Sequence, residues 1–553
     1  MFVVQEIKHS AVIQGTIARR SKKMKSLVFM LVCWSVTTAV AADANTSFIL
    51  SLVGADLAIG PPVGFDPNGE RFPVGPRHYF IKMSLLPGSV EESAQEVVPQ
   101  EVNFFVDTGS GVTVQYTVDT SNSEECDDLF EGKNALNLTI PDLRQVNNTF
   151  TPATRGSNAC KEVDYTVSNS KDSNCPFEIA YAGGENIQGY VVDNAYVYAD
   201  GSRQILGAST TMNSRLGNVL TTLNGGVTPL YAPFYFGRID SALSCIIYPG
   251  IVGMDSTPSA FAPQLASDGT IGSVVFSMCV SSEGLYSQGE EAGFLIMGPA
   301  VPSTIAPTLG NFPLYNGKTL QRIKTENKEF QEDIASLNVR GLDTHFFVIT
   351  DGVTIGDETF QGPLDTLIDS GYSGVAFESS IIDSLNENIA ANAASKGYTV
   401  EQECFLVGAV TSDEAVTIAN DIAPSIQVSL SDTVTYSIDG TSYMNVEEAG
   451  SGEYRICNTA SVSEKSEPAI LGTSFFINRF VQFDWGNQVL RVADVTSCPS
   501  STSNDTYTAE FAGAEMSGNY SFPYSIESGS HPQDGVMLYL VAAVALLFMM
   551  DFF

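Results

Sequence analysis

Two short runs of this chain place an aspartate where it could take part in acid–base chemistry. Asp107 follows a Phe-Val pair and precedes Thr-Gly-Ser, and Asp369 follows a Leu-Ile pair and precedes Ser-Gly-Tyr-Ser. Each apolar pair predicts a buried strand, and each glycine predicts a tight turn directly after the aspartate. If the two turns meet, the carboxylates share one proton, because like charges at close range do not both ionise cheaply. Such a pair can activate a water molecule.

The sequence around these runs predicts a mostly β structure. From about residue 77 onward, short apolar or alternating runs are separated by clusters of Gly, Pro, Asn and Asp, which is typical of strands and turns. Residues 480–492 hold two such runs around Trp485, Gly486 and Asn487, which predicts a hairpin. We therefore expect an all-β fold with few helices.

An internal duplication indicates two similar halves. After Asp107 the chain reaches an Ile-Val-Gly run that ends at Gly253, and after Asp369 it reaches an Ile-Leu-Gly run that ends at Gly472. Either run alone is typical of a buried strand that ends in a turn. Because the same order occurs twice, we expect two related lobes that face each other, with the aspartates at the join.

The composition excludes several classes of function. The chain has 553 residues, 44% of them hydrophobic, and its 63 acidic and 27 basic residues give a formal net charge of −36. This charge argues against nucleic acid or an anionic membrane surface as a partner. Of the four histidines, only His78 and His345 lie outside the terminal segments, and neither has the spacing of a metal site or a catalytic triad. We expect neither a metal nor another cofactor.

The N-terminal segment predicts entry into the secretory pathway. A basic run precedes an apolar stretch that ends in Ala-Val-Ala, so residues 1–41 are interpreted as a signal peptide, with Met24 as an alternative start. Eight cysteines follow it, and an even number predicts disulfides, here four. Five glycosylation sequons point to the same route, namely those at Asn45, Asn137, Asn147, Asn504 and Asn519.

The C-terminal segment predicts attachment to a membrane. Residues 499–530 are rich in Ser, Thr, Gly and Asn and are interpreted as a stalk, and residues 531–553 contain an uncharged apolar run. Small residues and a short polar spacer ahead of that run resemble a glycolipid-anchor signal. A short transmembrane tail is the alternative. We expect a monomer at the cell surface or in an acidic compartment of the secretory pathway.

Taken in this order, these features resemble the pepsin-like aspartic proteases. The resemblance covers residues 77–498 and includes both Asp-[Thr/Ser]-Gly turns. It also includes the Cys-Pro-Phe-Glu-Ile-Ala-Tyr run that begins at Cys175 and the Ala-Ile-Leu-Gly-Thr-Ser-Phe-Phe run that begins at Ala469. It implies a bilobal fold of two related β lobes with the active-site cleft between them.

The resemblance implies domain boundaries and disulfides as well. The lobes are expected at 77–298 and 299–498, with residues 42–76 as a short leader. Two disulfides are implied, Cys279–Cys498 and Cys404–Cys457. The remaining cysteines, Cys126, Cys160, Cys175 and Cys245, allow three connectivities, of which we choose Cys160–Cys175 with Cys126–Cys245.

The resemblance assigns roles at the cleft. Asp107 and Asp369 are expected to be the catalytic pair, and Tyr181 to be a flap tyrosine that closes over the substrate. Further residues of the flap and the substrate site are expected to be Gly109, Gly184 and Gly371. The residues expected to support the carboxylates are Thr108, Ser110, Ser370 and Ser373. For Ser110 and Ser373, a plain turn role is the alternative.

Three positions depart from the family pattern. Ser370 stands where Thr is commoner but keeps the hydroxyl, Val114 stands where a Trp usually supports the flap tyrosine, and Tyr372 replaces a small hydroxyl residue. The last two favour a protease-like protein that binds without turnover. The two intact aspartate turns favour an aspartic endopeptidase that cleaves polypeptides at acidic pH, and this is the function we expect.

Overall fold

The fold is that of a computed structural model. The described residues are 45–56, 64–65, 71–72, 77–88, 100–116, 150, 152–163, 173–180, 186–199, 201–208, 215–242, 250–281, 291–326, 344–401, 403–450, 452–463 and 467–509. The predicted signal peptide and C-terminal anchor signal lie outside these residues.

Strands dominate the described residues, which confirms the all-β class. The strands of the first half are β1 (Ser47–Asp56), β2 (Gly64–Phe65), β3 (Arg71–Phe72), β4 (Arg77–Pro87), β5 (Gln100–Asp107), β6 (Val114–Tyr116), β7 (Pro176–Ala180), β8 (Asn186–Ala199), β9 (Arg203–Leu206), β10 (Leu230–Ala242), β11 (Gly250–Gly253), β12 (Val275–Val280), β13 (Glu291–Met297) and β14 (Val301–Pro302). Those of the second half are β15 (Gly310–Pro313), β16 (Tyr315–Asn316), β17 (Phe346–Ile355), β18 (Glu358–Ile368), β19 (Val375–Phe377), β20 (Cys404–Gly408), β21 (Ile426–Ser431), β22 (Val434–Ile438), β23 (Met444–Gly450), β24 (Glu453–Asn458), β25 (Ser461–Val462), β26 (Ala469–Leu471), β27 (Arg479–Asp484), β28 (Val489–Asp494) and β29 (Tyr507–Thr508).

The helices in the described part of the chain are short, apart from one of 17 residues. They are α1 (Asn158–Glu162), α2 (Arg215–Leu223), α3 (Phe261–Asp268), α4 (Gly317–Glu326), α5 (Ser379–Ser395), α6 (Ser412–Ile422), α7 (Gly440–Tyr443) and α8 (Thr473–Phe476).

Strands of the first half close into a barrel. β5 pairs with β4 and β11, β11 pairs with β6, β6 with β10, β10 with β8, and β8 again with β4. Successive side chains of a strand point to opposite faces, so Phe104 and Val106 of β5 join the main core, whereas Phe105 joins a second cluster. Both faces of β5 are therefore buried, which explains its continuous apolar run before Asp107.

The second half repeats this arrangement around an eight-stranded sheet. Its strand order is β22-β21-β17-β18-β26-β19-β25, with β16 paired to β17. β18 takes the place that β5 takes in the first half, because each leads to one of the two aspartates and each has a parallel neighbour, β26 or β11. The bilobal fold expected from the duplicated motifs is confirmed in the strand topology.

A run of strands from both halves joins the lobes. Its order is β15-β28-β27-β12-β13-β1, and β27 pairs with β12 from Asp484 opposite Val275 to Arg479 opposite Val280. β27 and β28 form the hairpin predicted around Trp485, with Asp484 opposite Val489. The C-terminal part of the chain is therefore built into the first lobe's sheet.

The structure corrects the predicted boundary between the leader and the first lobe. Within residues 42–76, β1 pairs with β13 and β4 and buries Phe48, Ile49 and Leu52. The run Ser-Phe-Ile-Leu-Ser-Leu-Val has the composition of a strand, and its apolar side chains are covered from both sides of the sheet. The first lobe therefore begins at β1 and not at residue 77.

The predicted stalk is corrected in the same way. Arg203 Nε donates to Ser501 O at 2.8 Å, and Ser501 N donates to Glu291 Oε1 at 2.6 Å. β29 then pairs with β14. A Ser- and Thr-rich composition predicts an exposed segment. Here, however, backbone N–H and C=O groups of the segment are hydrogen-bonded to side chains on the surface of the folded lobes. The folded body therefore extends at least to residue 509.

Candidate active site

The first aspartate stands at the end of β5. It lies opposite Gly253 of the parallel strand β11, and Met254 N donates to Asp107 O at 2.9 Å. The turn that follows folds back onto the side chain, since Gly109 N donates to Asp107 Oδ1 at 2.9 Å. The aspartate is only 6% exposed. The strand thus delivers a nearly buried carboxylate to the edge of the core.

The second aspartate follows β18 in an equivalent way. Asp369 N donates to Leu471 O of the parallel strand β26 at 3.0 Å. Gly371 N donates to Asp369 Oδ1 at 2.8 Å, the same contact that Gly109 makes with Asp107. The side chain of Asp369 is half-buried. The two sequence runs therefore fold into the same strand and turn.

The carboxylates lie against each other's turns. A Cβ built on Gly109 would lie 2.5 Å from Asp369 Oδ1, and one built on Gly371 would fall onto Asp107 Oδ1. The Asp107 and Asp369 side chains are hydrogen-bonded to each other. Any side chain at either glycine would displace the opposite carboxylate, so this close approach requires glycine.

Thr108 and Ser370 tie the two turns together. Thr108 N donates to Ser370 Oγ at 3.0 Å, and Ser370 N donates to Thr108 Oγ1 at 2.8 Å. Each hydroxyl also donates across the join, Thr108 Oγ1 to Ile368 O at 2.9 Å and Ser370 Oγ to Val106 O at 2.8 Å. Both side chains are fully buried, so these bonds hold the carboxylates at a defined separation.

Gly253 and Gly472 allow a neighbouring strand to pass directly beside each turn. A Cβ on Gly253 would lie 2.6 Å from Val112 N, and one on Gly472 would fall onto the carbonyl oxygens of Tyr372 and Gly374. These contacts leave no room for a side chain. The Gly-terminated runs found in the sequence are thus the strands that flank the aspartate turns.

Burial and mutual repulsion change the ionisation of the pair. Burial raises the pKa of Asp107 well above its ordinary value, and the charge of Asp369 raises it further. Burial also raises the pKa of Asp369, whereas the Gly371 N–H and the charge of His345 lower it. The hydrogen bond between the carboxylates raises the pKa of Asp107 and lowers that of Asp369. Between the two ionisations, the pair therefore holds one shared proton.

The other two predicted supporting residues follow the aspartate turns in sequence. Ser110 is buried, and its Oγ donates to Val112 O over a long 3.5 Å. Ser373 is half-buried. Tyr372 N donates to Asp369 O at 3.1 Å, and the Tyr372 hydroxyl is hydrogen-bonded to Ser461 Oγ. Burial raises the pKa of Tyr372, so this hydroxyl stays protonated at acidic and neutral pH.

The predicted flap belongs to a hairpin whose tip is outside the described residues. β7 and β8 are antiparallel, with Ala180 opposite Asn186, and Tyr181 and Gly184 lie between them in sequence, beyond the residues described. Val114 is fully buried and packs in the same cluster as Phe177 of β7. The position where the resemblance expects a Trp is thus part of the lobe's core.

The structure also places the cysteines and sequons. Disulfides link Cys160 to Cys175, Cys279 to Cys498 and Cys404 to Cys457, the pairs predicted within the described residues. Asn45 and Asn504 are exposed. The residues of these two predictions that lie outside the described ranges are Cys126, Cys245, Asn137, Asn147 and Asn519.

Sequence analysis missed a buried acid–base pair beside the carboxylates. Asp255, two positions after Gly253, is fully buried, and His345 Nδ1 lies 3.4 Å from its Oδ2. His345 is far from either aspartate turn in sequence, so spacing does not reveal it. A signal exists at Asp255, since a charged residue directly after a buried apolar run needs an electrostatic partner.

The described residues offer neither a metal-binding cluster nor a helix that could span a membrane. In this part of the chain, no group of three His, Cys, Asp or Glu side chains could hold a metal ion. The helices described above include none with the length and apolarity needed to cross a membrane.

Comparisons with known proteins gave one family match and several similar solved structures. A family model described as eukaryotic aspartyl protease matches residues 97–495. Among solved structures, basic 7S globulin from soybean is similar, with 13% identity and a TM-score of 0.49 over 82% of this chain and 96% of that chain. Conglutin gamma, a basic 7S globulin from lupine seeds, shows 12% identity and a TM-score of 0.48 over 81% of this chain and 95% of that chain. Among curated proteins, no match was found.

Proposed function

Because the chain belongs to the eukaryotic aspartyl protease family, we propose that it is an aspartic endopeptidase that hydrolyses peptide bonds at acidic pH. The observation that carries this proposal is the contact of the Asp107 and Asp369 carboxylates across the join of the two lobes. Their raised pKa values support it, because a pair that shares one proton contains both a general base and a general acid.

In the proposed reaction, a water molecule lies between the two carboxylates. The ionised carboxylate takes a proton from the water as its oxygen attacks the scissile carbonyl carbon, and the protonated carboxyl gives its proton to the carbonyl oxygen. The resulting diol then collapses. The C–N bond breaks as the first carboxyl protonates the leaving nitrogen, and the second carboxylate recovers a proton from a diol hydroxyl, which restores the starting pair.

The geometry supports each of these roles. Gly109 N and Gly371 N each hold one oxygen of a carboxylate at 2.9 and 2.8 Å, which leaves the other oxygen for water. The Thr108–Ser370 hydrogen bonds keep the separation of the carboxylates constant during the reaction. Pre-organisation of this kind lowers the reorganisation needed in the transition state.

The test is cleavage of an unstructured polypeptide by the purified chain at about pH 4, where a shared proton is expected. Asp107→Asn and Asp369→Asn each remove one carboxylate without changing its shape, and each should lower kcat/KM by about a thousandfold or more. Asp421→Asn is the matched control, because this side chain is 58% exposed and lies in the second lobe. A pepstatin-like inhibitor should block the activity.

The same assay separates the enzyme from the alternative of a protease-like binding protein. Tyr372, three residues after Asp369 in sequence and hydrogen-bonded through its hydroxyl to Ser461, favours that alternative if it closes the cleft. A chain that binds the inhibitor but releases no new peptide termini would contradict the proposed activity. Cleavage that survives in either Asp→Asn variant would contradict the assigned residues.

The expected setting is part of the proposal. Disulfides are compatible with the secretory pathway. An acidic compartment or the cell surface is the expected location of an enzyme whose two carboxylates must share one proton. Polypeptide substrates and a C-terminal membrane anchor remain expectations from the sequence.

A further inference from the structure

A fully buried acid lies next to the first aspartate turn. Asp255 follows β11, the parallel neighbour of β5, and Asp255 N donates to Ser110 O at 3.0 Å. Its Oδ1 accepts from Thr257 N and Thr257 Oγ1, both at 2.7 Å. A Cβ on Gly111 would lie 2.8 Å from Asp255 Oδ2. Asp255 is thus part of the structural layer that supports the Asp107 turn.

A histidine of the other lobe lies opposite the second aspartate. β17 and β18 are antiparallel, with Phe347 opposite Leu367 and Val348 opposite Thr366. His345 comes two residues before Phe347 and Asp369 two residues after Leu367, so a continued register would bring His345 opposite Asp369. The His345 side chain is about 10% exposed, and its Nδ1 lies 3.4 Å from Asp255 Oδ2 without a hydrogen-bond partner. The ring nitrogen is thus within ion-pair distance of the carboxylate but does not form a directed hydrogen bond with it.

Backbone contacts fix this pair between the lobes. Ser256 N and Ser256 Oγ donate to Thr344 O at 3.2 and 2.7 Å. Thr344 Oγ1 donates to Asp255 Oδ2 at 2.5 Å. The start of β17 is thereby held against the turn after β11, so the two charges cannot move independently of the two aspartate turns.

We propose that Asp255 and His345 are positioning residues that decide which carboxylate of the pair holds the shared proton. A positive charge on His345 favours the ionised form of Asp369, whereas the negative charge of Asp255, beside the Asp107 turn, favours the protonated form of Asp107. Asp369 is then the general base that activates water, and Asp107 is the general acid. This assignment rests on the proposed function, since it divides the roles of the same two carboxylates.

The ionisation of the two carboxylates agrees with this division. Burial raises the pKa of Asp107 first, then the Asp369 charge, and the charge of Asp255 adds to the rise. For Asp369, burial raises the pKa, and the Gly371 N–H and the His345 charge oppose it. The titratable groups that face the His345 ring from the described elements are Asp255 after β11 and Asp369 after β18.

The first experiment measures kcat/KM against pH for His345→Gln and Asp255→Asn. Loss of the positive charge makes ionised Asp369 harder to form, so His345→Gln should move the acidic limb to higher pH by about one unit. Loss of the negative charge makes Asp107 easier to ionise, so Asp255→Asn should move the alkaline limb to lower pH by about one unit. Each variant should therefore narrow the pH range of kcat/KM, His345→Gln from the acidic side and Asp255→Asn from the alkaline side.

Matched controls make the same charge changes on the surface of the second lobe. Lys396 and Asp421 form an exposed pair with a 2.9 Å contact, so Lys396→Gln and Asp421→Asn should leave both limbs in place. Limbs that stay in place in His345→Gln and in Asp255→Asn would overturn the inference. If His345→Gln does not fold, Asp255→Asn carries the test alone.

The second experiment does not depend on turnover. In the Asp107→Asn chain, with carbon-13 in its aspartate carboxyls, adding His345→Gln should raise the pKa of Asp369. In the Asp369→Asn chain, adding Asp255→Asn should lower the pKa of Asp107. The signals are assigned by comparison with the chain that lacks both carboxylates.

The two experiments distinguish the two proposals. Shifted carboxyl titrations in a chain that cleaves nothing would support the assignment and contradict the proposed protease activity. Cleavage by the wild-type chain with unshifted carboxyl titrations and unshifted limbs would support the protease and overturn the roles of Asp255 and His345.

Discussion

Asp107 and Asp369 have the same local turn but different surroundings. Each accepts a hydrogen bond from the glycine two residues later, so local geometry alone would make them equivalent. Their charged neighbours differ, because the charge of Asp255 raises the pKa of Asp107, whereas the charge of His345 lowers that of Asp369. An asymmetric field of this kind separates an acid from a base within one pair.

The raised pKa values predict a pH-dependent stability. An acid whose pKa is raised by folding stabilises the protein fully below its unfolded pKa, near the ordinary 3.8, and this contribution is lost as pH rises through the folded value. Asp107→Asn removes the charge that must be buried at neutral pH. We therefore expect the variant to have a higher Tm than the wild type near pH 7 and no advantage below about pH 4.

Thermal unfolding followed by circular dichroism between about pH 3 and pH 8 checks this prediction. Asp421→Asn is again the control, because its carboxylate is exposed. A Tm difference between Asp107→Asn and wild type that is constant across pH would contradict the electrostatic explanation.

At the scale of elements, each lobe contains the same unit of two strands with a third strand between them. In the first lobe, β11 lies between β5 and β6, parallel to one and antiparallel to the other. In the second lobe, β26 lies in the same way between β18 and β19. The third strand ends in glycine because its backbone passes so close to the segment after the aspartate that a side chain would have no room.

The close approach of the third strand predicts that the effect of an added methyl group on the free energy of unfolding depends on its position. At Gly472 a Cβ would fall onto two backbone carbonyl oxygens, whereas at Gly408 of β20 nothing lies within 4 Å of the added atom. Gly472→Ala should lower the free energy of unfolding by about 3 kcal/mol, the upper end for overpacking. Gly408→Ala should change it by less than about 0.5 kcal/mol.

Urea denaturation of both variants, monitored by tryptophan fluorescence, gives this comparison. Equal destabilisation at the two glycines would show that the crossing does not constrain the strand. Peptidase activity should fall with stability in Gly472→Ala, because the displaced carbonyls belong to the turn that carries Asp369.

At the scale of the whole molecule, two sets of contacts link the two lobes. Deep in the join, Thr108 and Ser370 exchange backbone and hydroxyl hydrogen bonds. Elsewhere, β27 and β28 extend the first lobe's sheet, and the Cys279–Cys498 disulfide links the chain after β28 to β12. Both sets of contacts link the two lobes that carry the carboxylates.

The hydrogen bonds between Thr108 and Ser370 predict that the Ser370 hydroxyl affects both stability and catalysis. Ser370→Ala removes the acceptor for Thr108 N and the donor to Val106 O, and the Thr108 N–H is then left buried without that partner. We expect a loss of about 2 kcal/mol in the free energy of unfolding and a lower kcat. Ser370→Thr keeps the hydroxyl and should retain most of both.

The control for this prediction is Ser395→Ala, since Ser395 is exposed at the end of α5. Chemical denaturation and steady-state kinetics are measured on all three variants. Full stability in Ser370→Ala would mean that the crossing hydrogen bonds are replaced by other contacts.

Much of the site could be predicted from local sequence. The apolar pairs before Asp107 and Asp369, the glycines after them and the runs ending at Gly253 and Gly472 are consecutive residues, and their strand and turn preferences are local. The hairpin around Trp485 was predictable for the same reason. Boundaries were less accurate, because β1 and residues 499–509 are held by partners far away in sequence.

By itself, the sequence determined that this protein has two β lobes, each ending a buried strand in an aspartate turn, because backbone preferences and hydrophobic patterns act between near neighbours. Only the tertiary structure decided that Asp255 of one lobe and His345 of the other stand beside that pair. Electrostatic interactions depend on distance in space and on burial, and neither quantity follows from the separation of two residues along the chain.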